Sequence, residues 1–520
     1  MTAFLRAGPV TRRSTLLGLA GLGATGLATL SGCRLAVDEA RGSVGGKARR
    51  GGTLVIACNI DAKPVTAQSQ QAQSVTWRRL VFETLTAYDA SGTPRPLLAT
   101  DWKITDGGRT VALRLRDDVR FHSGRPMTAE DVIFSLKRTM DPAAGTQARS
   151  VSAHITDMTA DGDHALRIRL RRPAGNLFDM FELTSILDRE SASGLASGKE
   201  VIGTGPFAWR SWNPGSQLTL VRNPHFRTPG RPYLDRIDMP VITDATALVT
   251  AVRSGRAHIA YGTAPLDAKG MSKDERYVID RGVTVDYALG MNVQAHPFDK
   301  PEVRRAVGYA INRERILNQV FAGYGHTSSL WWTTKEPGWR KDQSEAYTYD
   351  PDRARRMIEQ AGVRGAEVSI DVIAIQAALS TAQIVRYDLA AAGFTVRTQV
   401  LDAIEYSGRQ AAGKLGQMFL NGYGIADLSA ATLVGSHPAF AATNASRFHT
   451  DAYTAAIERV ATADTAHRRA AVRDLGTYMQ RQAFSQSLVT APAAIIRSKR
   501  AQGVDQTFLG AFRLDDAHLV

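Results

Sequence analysis

Cysteine is nearly absent from this 520-residue chain, which holds only Cys33 and Cys58. One disulfide is conceivable, but the two make no metal or redox spacing with each other. The 11 histidines are scattered singly. There is no H-E-x-x-H, no G-x-S-x-G and no Ser-x-x-Lys with its companions, so no nucleophile or metal constellation marks a hydrolase. No Walker spacing follows any glycine cluster. Residues 21–26 match G-x-G-x-x-G, but no strand precedes them and no βαβ unit surrounds them, which excludes a dinucleotide site. Low-complexity tracts and repeats at solenoid or propeller spacing are also missing. The net charge is +14. Its basic residues are dispersed, with runs only as short as Arg171-Arg172, which argues for an anionic envelope nearby rather than nucleic acid. The length suggests about three or four domain-sized units.

One long uncharged stretch is present, and it is N-terminal. Arg6, Arg12 and Arg13 precede an apolar, glycine-rich run over 16–30 that is short for a bilayer span. Leu30-Ser31-Gly32-Cys33 follows and resembles the bacterial lipobox, in which the chain is cut before a cysteine that then carries lipid. Thr11-Arg12-Arg13-Ser14-Thr15-Leu16-Leu17 resembles a twin-arginine export motif, with Thr15 where phenylalanine is usual. Residues 1–32 are thus expected to be a signal peptide, Cys33 the lipidated residue, and 33–50 a flexible tether. Export to the outer face of the bacterial cytoplasmic membrane follows.

The chain is organised around residues 119–138, VRFHSGRPMTAEDVIFSLKR. Alternation over 110–115 predicts a strand, Ser123-Gly124 a turn, and Thr128 an N-cap with Glu130 and Asp131 in the first helical turn. Val119, Phe121, His122, Gly124, Pro126, Thr128, Ala129, Asp131, Val132, Phe134 and Ser135 closely resemble the V-x-F-H-x-G-x-P-x-T-A-x-D-V-x-F-S signature of extracytoplasmic solute-binding proteins of family 5, the receptors of peptide and nickel ABC importers. Further resemblances lie at Gly203-Thr204-Gly205-Pro206-Phe207, at Asn292 through Ala306, and at Tyr349-Asp350-Pro351, where a helix runs to Ala361-Gly362. His258 stands where the family usually has aspartate. A strand, helix and strand over 368–375, 381–392 and 394–400 predict a parallel βαβ unit. Cys58 and Asp117-Asp118 read as structural, the latter because adjacent strand residues face opposite ways.

The resemblance implies an α/β fold of the two-lobed periplasmic-binding type II class with an extra small α+β domain. Lobe I would comprise 51–287 and 489–520, with the extra subdomain near 81–202, and lobe II would comprise 288–488. It implies a binding protein without catalysis, cofactor or metal. That protein would be a monomer that captures a peptide or peptide-like solute between its lobes and delivers it to a membrane permease. Receptors for nickel chelates, haem or oligosaccharides share the fold and stand as the alternative. A hydrolase would need a catalytic constellation, and a transcription regulator an N-terminal helix-turn-helix. In peptide binders of the family an aspartate pairs with the α-amine, and Tyr423-Gly424-Ile425-Ala426-Asp427 is the candidate segment. A buried ammonium needs such a carboxylate. Trp331 and Trp332 could offer stacking surface from a loop, and Asn59 and Gln376 stand in loops near strand ends.

Overall fold

A computed structural model describes residues 50–520; the leader, Cys33 and all of the tether but Arg50 lie outside it. Among the described residues no helix is long and apolar enough to cross a membrane.

Two strands longer than the rest dominate the architecture. Tyr277–Met291 has 15 residues and Ser485–Ser498 has 14, and they pair antiparallel along almost their whole length. Both belong to one 11-stranded sheet. On one side Ser485–Ser498 passes to Ile259–Thr263, Thr53–Cys58, Arg236–Pro240, Gln217–Arg222 and Phe207–Asn213. On the other, Tyr277–Met291 passes to Met418–Tyr423, Glu367–Ile373 and Thr395–Leu401. The register slips between Tyr287 and Ala288, which face Val489 and Ser487 and leave Leu488 unopposed. Such a bulge bends and twists the ladder locally. Two halves of the molecule are therefore joined through this strand pair and its bulge.

The predicted βαβ unit is present. Glu367–Ile373 and Thr395–Leu401 run parallel in continuous register, joined by the helix Gln376–Ala392. Gly393 ends that helix in the left-handed region, φ +116°. The helix at Pro351–Gln360 has Asp350 as its N-cap, accepting from the Arg353 amide at 2.9 Å.

A separate four-stranded antiparallel sheet is built from Ala99–Thr105, Thr110–Leu115, Ala165–Leu170 and Ile155–Ala160. The signature helix, Ala129–Met140, packs on it through Val132, Ile133 and Leu136. Asp131 closes the helix start by accepting from the Thr128 amide at 3.0 Å. Its carboxylate is fully buried and also receives Arg125, which reaches on to buried Asp188. An unpaired carboxylate there would be costly, so Arg125, itself half-buried, serves the interior.

The two strongest sequence signatures hold each other. His122 donates its backbone N–H to Gly203 O at 2.9 Å. Its Nδ1 accepts from the Gly203 amide at 3.2 Å, and Nε2 lies 3.1 Å from Gly205 O, so Nε2 carries the proton. A Cβ on Gly203 would come within 2.1 Å of Val81 O, and one on Gly205 within 2.5 Å of Leu80 O. Close backbone approach, not phosphate chemistry, explains these glycines. His258 likewise serves the backbone: its Nδ1 accepts from the Val55 amide at 3.0 Å.

Cys58 is the buried last residue of the first strand, and burial pushes its thiol up to about 12. Asp117 and Asp118 lie beyond the strand, which ends at Leu115, and Asp118 pairs with Arg116.

The small sheet does not stand alone. Its helix Leu177–Leu183 and the turn at Arg149–Ser152 share one apolar cluster with Trp331, Leu433, Val434, Phe440 and Tyr453 from the second half of the chain. Gly435 permits the approach, since a Cβ there would lie 2.7 Å from Ser150 Cβ.

Candidate functional site

Three stretches distant in sequence converge where the long strand pair meets the two halves. Val283 and Thr284 come from the strand Tyr277–Met291, Leu509 from the C-terminal turn at 507–510, and Gly424 to Leu428 from the loop after Met418–Tyr423. With Gln70 they line a void too narrow to admit a water molecule. Gln70 is anchored by donating Nε2 to Leu509 O at 3.1 Å and accepting from Arg78 at 2.9 Å. Gly510 adopts φ +79° with Val283 N 2.5 Å from where its Cβ would be, so the turn lies directly on the crossing strand.

Asp427 is the charged group of this site. Its side chain is 9% exposed. Oδ2 accepts from Thr284 Oγ1 at 2.5 Å and lies 3.0 Å from Lys335 Nζ, while Oδ1 accepts from Thr333 Oγ1 at 3.0 Å. One largely buried carboxylate thus ties the crossing strand, the 330–336 loop and the loop after Met418–Tyr423 together. Deeper in the same strand, Asp286 is 1% exposed and accepts from Ser487 Oγ at 2.5 Å and Thr490 Oγ1 at 3.4 Å through Oδ1 only. Its Oδ2 has no partner, and burial pushes its carboxyl up to about 7.

Of the expected residues, the structure brings Gly424 and Asp427 to the void, with Tyr423 just before them. The Tyr423 hydroxyl accepts from Gln410 Nε2 at 2.7 Å, and its ring lies 4.3 Å from the His437 ring. Trp331 and Trp332 do not offer open stacking surface: they are 2% and 1% exposed and pack in the shared apolar cluster. Trp331 Nε1 donates to Ser485 Oγ at 3.3 Å. Their consequence for the site is to place Thr333, the next residue, on Asp427. Asn59 is exposed with its side chain over Gly262, and Gln376 is exposed and donates to Ser380 Oγ one turn along its own helix. Neither lines the void.

Gln70, Thr284, Thr333, Lys335 and the 507–510 turn were not legible as site residues. Each is an ordinary residue in an ordinary pattern, and only the chain path assembles them. Among the described residues no group of three or more histidine, cysteine, aspartate or glutamate side chains could hold a metal ion.

A second polar contact joins the halves beside this void. Asp179, 3% exposed on the helix Leu177–Leu183, accepts through Oδ2 from the Ser429 amide at 3.0 Å, Ser429 Oγ and Thr432 Oγ1. Ser429 is the N-cap of Ala430–Ser436. Glu336 accepts from the Ala430 amide at 2.8 Å and is paired with Arg468 at 2.7 Å. Both carboxylates thus satisfy amides at the start of that helix.

The fold recurs in solved structures. The chain superposes on a Helicobacter pylori ABC transporter-associated periplasmic binding protein, DppA, solved with the peptide STSA. The TM-score is 0.79 at 22% identity, over 91% of this chain and 98% of that one. It also superposes on NikZ of Campylobacter jejuni in complex with Ni(L-His), with TM-score 0.74 at 20% identity, over 88% and 97%. By sequence it is 27% identical over 376 residues to di/tripeptide-binding protein 1 of Pseudomonas aeruginosa, covering 65% of this chain and 70% of that relative. Residues 93–437 match the family described as bacterial extracellular solute-binding proteins, family 5 Middle. With its α/β sheet, crossing strand pair and extra small sheet, the chain belongs to the family 5 bacterial extracellular solute-binding proteins, which bind solutes for transport and are not enzymes.

Proposed function

We propose that this protein captures a peptide or peptide-like solute with a free ammonium group and delivers it to an ABC permease. It would act as a monomer, tethered outside the cytoplasmic membrane by lipid on Cys33. Lobe I is assigned to 51–287 and 489–520, with the subdomain near 81–202, and lobe II to 288–488. The observation that carries the reading is Asp427, a largely buried carboxylate where the crossing strand, the 330–336 loop and the loop after Met418–Tyr423 converge. A closed cleft that holds a carboxylate selects for a cation. Relatives named as di/tripeptide- and oligopeptide-binding proteins support a peptide over other cations. Contacts made to both lobes stabilise the closed form, so capture is a shift of population toward closure.

The test is native mass spectrometry of the full chain as purified, compared with its denatured mass. A heterogeneous set of adducts that fragment as peptides is expected, and their loss in Asp427→Ala. A single non-peptide adduct replaces the peptide reading with a chelate, haem or sugar receptor. Peptide adducts retained by Asp427→Ala remove Asp427 from the site.

A further inference from the structure

The Lys335 ammonium meets three recognition groups at once. Nζ lies 3.0 Å from Asp427 Oδ2, donates to Phe508 O at 2.9 Å, and stands 4.1 Å from the centroid of the Phe508 ring. Carboxylate, carbonyl and aromatic face are the three groups that recognise any primary ammonium. These groups are held rigidly from behind. Thr284 and Thr333 fix the carboxylate, and the Phe508 ring packs against Tyr88 at 5.3 Å between centroids, with Gly92 beneath it. Its occupant is held less firmly. The Lys335 side chain is 38% exposed while Asp427 is 9% exposed, so the lysine can withdraw into water where the aspartate cannot. The contact also bridges: Lys335 and Asp427 belong to the stretch assigned to lobe II, and Phe508 to the tail assigned to lobe I.

We propose that Lys335 is a tethered, displaceable occupant of the ammonium subsite, competing with the ammonium of the solute for Asp427. This rests on the reading of Asp427 as the ligand carboxylate. Two consequences follow. The empty protein never exposes an uncompensated carboxylate in its cleft. Affinity is set by an exchange of one ammonium for another, so a solute without an ammonium group cannot evict the lysine and is rejected.

The test uses the full chain as wild type, Lys335→Ala, Lys335→Met and the double variant Lys335→Ala/Asp427→Asn. Propylammonium chloride, compared with equal sodium chloride, is expected to raise the melting temperature of Lys335→Ala by several degrees. It should leave wild type and the double variant unmoved. Trialanine is expected to bind Lys335→Met, which keeps the length of the stem, about tenfold more tightly than wild type, a factor equal to ~1.4 kcal/mol. No propylammonium-specific shift in Lys335→Ala, or an equal shift in the double variant, overturns the inference whatever trialanine does. Trialanine binding Lys335→Met more weakly than wild type also overturns it, because the lysine then acts for the ligand rather than against it. Rescue by propylammonium without trialanine binding to any form upholds the ammonium site and instead removes the peptide reading.

Discussion

Asp179→Ala should open the cleft. Asp179 lies on the helix Leu177–Leu183, and its Oδ2 accepts from the Ser429 amide, Ser429 Oγ and Thr432 Oγ1 of the second half of the chain. The bond from the Tyr88 hydroxyl to Oδ1, 2.7 Å, stays within the subdomain and survives opening, so it does not count. A hydrogen bond to a charged group contributes roughly 1.5–3 kcal/mol, and a charge at a helix start about 0.3–1 more. The three contacts share one oxygen and do not add. Relief from burying the carboxylate, 3% exposed, offsets part of them. A net loss of ~2 kcal/mol from the closed form remains, which shifts the closed-to-open ratio by about thirtyfold. Single-molecule energy transfer between labels on the subdomain and on lobe II reads that ratio directly in the ligand-free protein. Ligand affinity should weaken in step with the closed fraction. Asp179→Asn keeps the volume and one acceptor oxygen and should fall between wild type and alanine. An Asp179→Ala protein with an unchanged distance distribution would refute the claim that this contact holds the lobes together.

His122 and Asp286 predict opposite pH trends. Burial pushes His122 down to about 4 in the folded state, so its contribution is full above its ordinary value near 6.5 and is lost as pH falls from there to about 4. The stability difference between wild type and His122→Gln, from urea midpoints, should therefore shrink steadily from pH 7 to pH 4.5; a constant difference would mean the ring is not held neutral. Asp286 is raised to about 7 by burial, so the folded protein keeps a proton that the unfolded chain has lost. Its penalty grows as pH rises from about 4 to 7 and is then constant. Asp286→Asn should accordingly raise stability at pH 8 by about 2 kcal/mol and change it little at pH 4. A variant less stable than wild type at pH 8 would show that the ionised form has a partner.

Much of the architecture was legible because it is written in local terms. Alternation over 110–115, the Thr128–Asp131 start of Ala129–Met140, Asp350 before Pro351 and Gly393 after Ala392 each act over a few residues, and each appears where the pattern puts it. The family signature was equally visible, yet its residues turn out to be structural: His122 with Gly203 and Gly205, and Arg125 with Asp131 and Asp188, hold the scaffold together. The candidate site was only partly readable. Asp427 was named through the resemblance of residues 423–427 to a family segment, whereas Thr284, Thr333, Lys335 and the 507–510 turn carry no pattern of their own.

Sequence alone thus determined the fold class, the family and the absence of catalytic motifs, since these rest on short-range periodicity and on motifs contiguous in the chain. Tertiary structure alone decided that Trp331 and Trp332 are core rather than ligand surface, and that Lys335 meets Phe508 of the C-terminal stretch. Those outcomes depend on pairings between residues 90 to more than 170 positions apart, as Asp427 with Thr333 and Lys335 with Phe508 are. Loop closure over such spans is dictated by the whole core, and no window of sequence contains it.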